Sequence, residues 1–123
     1  MLDFSGNLFL IDFGLAHRFL DSNGNHVPFK RVRRFKGTWY FCSKNTMQMV
    51  LQSRRDDVES MFYTLMYLID VRMAWVPLHG GTKENVQKEL RTNKDMMTDL
   101  QIIKQLPSSF RKLYWLVRYI SYD

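Results

Sequence analysis

Residues 53–69 read Ser-Arg-Arg-Asp-Asp-Val-Glu-Ser-Met-Phe-Tyr-Thr-Leu-Met-Tyr-Leu-Ile, and this stretch decides the fold class. Val58, Met61, Phe62, Leu65, Met66, Leu68 and Ile69 recur at helical spacing and cover most of a helix circumference. A helix over 56–70 that is apolar nearly all round has to be buried by other elements. Ser53 is placed to cap its N-terminus. Asp56, Asp57 and Glu59 fall in its first turns, where carboxylates face the positive end of the helix dipole. The chain is organised around this helix, and its neighbours must supply the cover.

Working outward, Pro77 and Gly80-Gly81 end the central region, and Thr82 can cap a polar helix running to about Arg91. A final helix follows Pro107-Ser108-Ser109, with Phe110, Leu113, Tyr114, Leu116, Val117 and Ile120 on helical spacing. Upstream, Thr46 to Gln52 reads as a short helix capped by Asn45 or Thr46. Residues 17–36 carry Asp21-Ser22-Asn23-Gly24-Asn25 and Pro28 without a sustained period, so they read as a long loop. Loops of that length in compact domains are usually functional or disordered. Leu2-Asp3-Phe4, Ser5-Gly6-Asn7 and Leu8-Phe9-Leu10-Ile11 read as strand, turn and strand, the Gly-Asn pair supplying the positive φ angles of a tight turn. The fold class is mainly α: one short β-hairpin followed by about four helices, with no repeats.

Composition narrows the function. At 123 residues, with 46% hydrophobic and 15% aromatic content, the chain fits one folded domain and lies outside the disordered regime. The single cysteine, Cys42, excludes an internal disulfide and suits a reducing compartment, so an intracellular site, cytoplasmic or nuclear, is expected. The first residues have neither a basic n-region nor an apolar h-region, so no signal peptide is expected. The longest uncharged apolar run, Met61 to Ile69, is far short of the roughly 20 residues of a membrane span, and no membrane partner is expected. The net charge of +6 is concentrated in Lys30, Arg31, Arg33, Arg34 and Lys36, with no acid among them. Such a cluster attracts phosphate, acidic peptide or nucleic acid, and it equally suits a solvated loop that serves solubility. No recognised nucleic-acid motif accompanies it, which argues against nucleic acid as the partner.

Chemistry enters at Leu10-Ile11-Asp12-Phe13-Gly14-Leu15-Ala16. A carboxylate at a strand end can bridge magnesium, a hard oxygen-seeking cation, to a triphosphate, and the glycine permits a sharp turn behind it. Three residues alone also fit an ordinary strand-end turn. Further downstream come Lys36-Gly37-Thr38-Trp39-Tyr40, then Ser43-Lys44-Asn45, then Ser53-Arg54-Arg55-Asp56-Asp57-Val58-Glu59-Ser60. In this order and spacing, the set resembles the casein kinase I family of serine/threonine protein kinases. That family carries Gly-Thr plus Ser-x-Asn where most kinases have Ala-Pro-Glu, and it opens its central helix with Ser-Arg-Arg-Asp-Asp-x-Glu-Ser. The resemblance spans roughly 8–70 and continues more loosely to Pro107-Ser108-Ser109-Phe110.

The resemblance implies a partial protein-kinase C-lobe. Residues 1–14 would be a hairpin ending in Asp-Phe-Gly, 15–45 the activation segment and 46–123 the helical lobe. It implies ATP and Mg2+ as cofactors, with Asp12 as the metal ligand and Ile11 beneath the adenine ring. Thr38 would hydrogen-bond the catalytic residues. Asp57 would be a buried helix-start carboxylate that anchors the catalytic loop, although the residues alone favour a plain dipole role for Asp57. Arg33 falls where the family contacts phosphate, and Arg34 and Lys36 reinforce it, so acidic or phosphorylated protein substrates are implied. Tyr40 replaces a second phosphate-binding Arg of the family. Phe62, Met73-Ala74-Trp75 and Lys44 also depart from its pattern, which marks a divergent member.

Within these 123 residues there is no Gly-rich phosphate-covering loop, no strand Lys ahead of Asp12 and no catalytic-loop Asp or Asn. Phosphoryl transfer depends on such parts for positioning and charge stabilisation. The expectation is therefore a kinase fragment that is inactive by itself and does not bind ATP and Mg2+ productively. The alternative is a catalytically dead, pseudokinase-like interaction module that docks acidic or phosphorylated partners through its basic loop.

Overall fold

The computed structural model describes residues 1, 3–73, 75–77 and 81–123. Leu2 of the expected first strand, Ala74 and Gly80 lie outside the described residues. The architecture is mainly α. A 3-10 turn at Phe13–Leu15 precedes α1 (Lys44–Met47), α2 (Arg54–Leu68), α3 (Lys83–Met96), α4 (Asp99–Gln105) and α5 (Ser108–Arg118). Among the described residues β pairing is confined to isolated bridges, including Leu20 with His26 and Arg31 with Val50. No helix among them is long and apolar enough to cross a membrane.

The central helix forms where its pattern predicts. Ser53 is extended ahead of it, and the Asp56 carboxylate reaches back to accept the Ser53 N–H at 2.9 Å. Its burial is one-sided, however. Phe62, Tyr63 and Met66 are buried, whereas Met61, Leu65, Leu68 and Ile69 stay exposed. Packing against α5 covers one face, and the opposite flank borders an open groove. The expectation of burial all round is thereby corrected.

The short helix expected over 46–52 starts earlier and ends at Met47. Ser43, not Asn45 or Thr46, is its cap: the Ser43 hydroxyl accepts the Thr46 N–H at 3.0 Å and donates to the buried Asp56 carboxylate. Met49 then takes a left-handed φ of 61°, and Val50 pairs with Arg31, which stops the helix. Helix α3 starts at the expected cap, Thr82, but continues past Arg91 to Met96 because Lys94 is drawn into the core. Helix α4 was not anticipated. It is seven residues long, too short to show a period, and its signal is a capping box in which Thr98 and Gln101 exchange side-chain bonds to each other's N–H. Helix α5 forms where expected but ends at Arg118, short of Ile120, and of its apolar positions Tyr114 and Val117 complete a core with Phe62, Tyr63, Met66, Trp75, Leu90 and Ile102.

The first hairpin is a turn rather than a pair of strands. Met1 and Phe9 exchange backbone bonds, and the Asp3 carboxylate accepts the Ser5 and Asn7 N–H groups. Gly6 alone takes the positive φ, 82°, so the side chain of Asp3 does the work assigned to Asn7. The same Asp-x-x-Gly-Asn device recurs in the long loop, where Asp21 accepts from Asn23 and Asn25 and Gly24 takes φ 81°. Two five-residue turns of the same pattern thus shape the region before α1.

Candidate functional site

The 3-10 turn carries the first candidate. Asp12 sits in the left-handed region (φ 65°, ψ 69°) as its N-cap, with its carboxylate accepting the Gly14 N–H at 3.4 Å. A side chain at position 14 would meet that carboxylate at 3.3 Å, so glycine leaves the oxygen free to hold its place. Left-handed backbone at a non-glycine residue is uncommon, and Asp tolerates it better than most.

Between this turn and the first half of α2 runs a groove of about 760 Å³. Ile11, Asp12, Lys36, Thr38 and Asp57 all line it, so residues distant in sequence meet around one space. Ile11 and Phe13 are more than half exposed along its wall, and Met61 continues the apolar surface from α2. Thr38 is exposed there, and its carbonyl accepts the Phe41 and Cys42 N–H groups, which turns the chain toward α1.

One expected role is revised by burial. Asp57 is exposed at the groove, and the buried helix-start carboxylate is Asp56, only 1% exposed. The two are one helical step apart, about 100° around the axis. Asp56 therefore faces the Ser43 hydroxyl and the Asn45 amide, while Asp57 faces the groove. Partial desolvation at the groove wall, then the neighbouring Asp56 carboxylate, push Asp57 above the ordinary carboxylate value, and nearby His17 acts in the opposite direction.

A second, smaller cavity of about 320 Å³ adjoins the first and shares His17, Lys36 and Gln52 with it. Arg33 and Arg34 join Lys36 around it, over apolar Val32, Phe35, Val50 and Leu51. The basic stretch is anchored here rather than loose. Leu51 donates to the Lys30 carbonyl at 2.9 Å, Val32 to the Met49 carbonyl at 2.7 Å, and the Gln52 amide to the Lys36 carbonyl at 3.2 Å. Phe35 stacks on Trp39 with ring centres 3.8 Å apart. Among the described residues none of Lys30, Arg31, Arg33, Arg34 and Lys36 is in an ion pair, so their field is directed outward.

Among the described residues no cluster of three or more His, Cys, Asp or Glu side chains could hold a metal ion. A lone groove carboxylate such as Asp12 fits magnesium only where phosphate oxygens complete the shell, which is how that ion is commonly bound. His17 lines both cavities, and Asp56 and Glu59, to which the sequence assigns only a helix-dipole role, are buried polar anchors. Their i, i+3 spacing with Phe62 and Tyr63 on one helix face was the available signal. No known protein-family model matches the chain.

Proposed function

We propose that the chain is the activation segment and helical lobe of a casein kinase I-like serine/threonine protein kinase. The reaction it would serve is ATP-dependent phosphorylation of protein Ser or Thr. What supports the reading is the convergence of Ile11, Asp12, Lys36, Thr38 and Asp57 on one groove. In this reading Asp12 holds Mg2+ together with nucleotide phosphates, and Ile11 offers an apolar surface to the base. Asp57 receives the catalytic loop, which fits its present exposure at the groove wall.

The chain by itself should transfer no γ-phosphate to casein. Joining the Gly-rich loop, strand Lys and catalytic loop of a casein kinase I enzyme ahead of Leu8 should give magnesium-dependent casein phosphorylation that Asp12→Ala abolishes. A folded but inactive chimera, or one indifferent to Asp12→Ala, would sink the reading.

A second reading, a binding module without catalysis, is favoured by the cavity under Arg33, Arg34 and Lys36. Three cations with no ion pair among the described residues, set over an apolar floor, suit an acidic or phosphorylated peptide, because charge-assisted bonds to phosphate are strong. Arg33→Ala with Arg34→Ala should weaken binding of a phosphopeptide by about tenfold or more and flatten its salt dependence. Unchanged affinity in a fluorescence-anisotropy titration would exclude this site.

A further inference from the structure

Residues 19–29 of the long loop form a limb that has few attachments of its own. Val27 donates to the Phe19 carbonyl at 2.8 Å, and Leu20 bridges His26, closing a small hairpin around the Asp21 turn. The limb then passes Pro28 and Phe29 and enters the basic stretch at Lys30, whose carbonyl is held by Leu51. Nothing in the local sequence fixes where this hairpin rests.

Tyr122 does so from the other end of the chain. Its ring meets His26 edge-on at 4.7 Å and Phe29 edge-on at 5.3 Å, and its hydroxyl donates to the Pro28 carbonyl at 3.4 Å. The Arg55 guanidinium lies 5.3 Å from the same ring, and Arg54 stands 4.7 Å over Phe19. Tyr122 is therefore sandwiched between the limb and the first turn of α2. Edge-to-face aromatic pairs and guanidinium–ring contacts are each attractive beyond simple burial.

We propose that Tyr122 is a positioning residue: a clasp that docks the 19–29 limb onto the start of α2 and fixes where the basic stretch 30–36 begins. The clasp couples two regions 94 positions apart. It does so through aromatic edges rather than its hydroxyl, because the bond to Pro28 is long. Its action does not depend on what the basic stretch binds. Released, the hairpin would keep its Asp21 turn but lose the support behind its closing Val27–Phe19 bond, and it would swing away from α2 while the core stayed packed.

Amide hydrogen exchange on the full chain tests this. Tyr122→Ala should speed exchange at Val27 and Val32 on the order of tenfold while amides of Phe62 and Tyr63 in α2 keep their protection. Tyr122→Phe should restore the wild-type rates, since it keeps both edges. Phe29→Ala attacks the clasp from the loop side at an exposed position. It should raise exchange at the same two amides, which keeps the test decisive if Tyr122→Ala does not fold. Unchanged rates at Val27 and Val32 in the Phe29→Ala protein would overturn the proposal. So would an equal loss of protection in α2, which would make Tyr122 an ordinary core residue.

Discussion

Glu59→Ala should remove about 3–5 kcal/mol of folding stability, the usual cost of breaking a buried charge pair from one side. Glu59 is 3% exposed and joins three helices. One carboxylate oxygen accepts the Lys44 N–H at 3.0 Å and the Tyr63 hydroxyl at 2.6 Å, and the other accepts from the Arg118 guanidinium at 3.0 Å. Arg118 in turn reaches Asp99 at 3.3 Å, and Asp99 accepts the Tyr114 hydroxyl at 2.7 Å. Truncation strands a backbone donor at the start of α1, a buried phenol and half of a guanidinium's partners at once. It also removes a negative charge that helps Lys94 keep its proton.

Against a total of roughly 5–15 kcal/mol, such a loss leaves a marginal fold. The urea midpoint of helical circular dichroism should therefore fall sharply. Glu59→Gln, which keeps an acceptor for Lys44 and Tyr63, should cost less. Glu59→Leu combined with Arg118→Met should recover part of the loss, because it removes both charges and refills their space. A cost under about 1 kcal/mol for Glu59→Ala would mean that the network is an ornament of the packing.

The central helix and its Ser53 start could be read from the sequence because a 3.6-residue period over fifteen residues leaves little choice. The same period could not say which flank is covered, since burial belongs to the partner element. Met61 and Leu65 are as apolar as Phe62 and Met66, yet only the latter pair meets α5 and the core. Asp56 and Asp57 are chemically identical neighbours, and the long-range partners Ser43 and Asn45 mark which of them is buried. Short elements failed for a related reason. Helix α1 is set by a cap whose hydroxyl is held across the fold, and α4 is only two turns long. At the candidate site, motif spacing singled out the groove residues, but it could not say that Lys36 borders both cavities or that His17 stands between them.

Lys94 should make the protein more stable as pH rises from about 8 to 9, an unusual direction for a basic chain. Its side chain is fully buried, with Nζ donating to the Cys42 carbonyl at 2.6 Å and lying 3.8 Å from the Tyr63 ring centre and 4.6 Å from that of Trp75. Burial strips the ammonium of water and pulls Lys94 down to about 8 from 10.5, aided by Lys44 and Arg118 and opposed by Cys42 and Glu59. Between those two values the unfolded chain holds a proton that the folded chain has released, so stability rises with pH there. Cys42, raised by burial from 9.0 to about 11, acts oppositely above pH 9, because the unfolded thiol then ionises first. Tyr63 and Tyr114, also raised by burial, add the same opposing slope above pH 10. Stability should therefore peak near pH 9, about half a kcal/mol above its value at pH 8 once the Cys42 and tyrosine contributions are subtracted. Lys94→Met separates the contributions, since the contacts it loses count equally at every pH. The stability difference between variant and wild type should move by about 3 kcal/mol in favour of wild type between pH 7 and pH 11. Urea titrations at four pH values would read it. A difference that stays constant across that range would show that Lys94 keeps an ordinary proton affinity inside its aromatic cage.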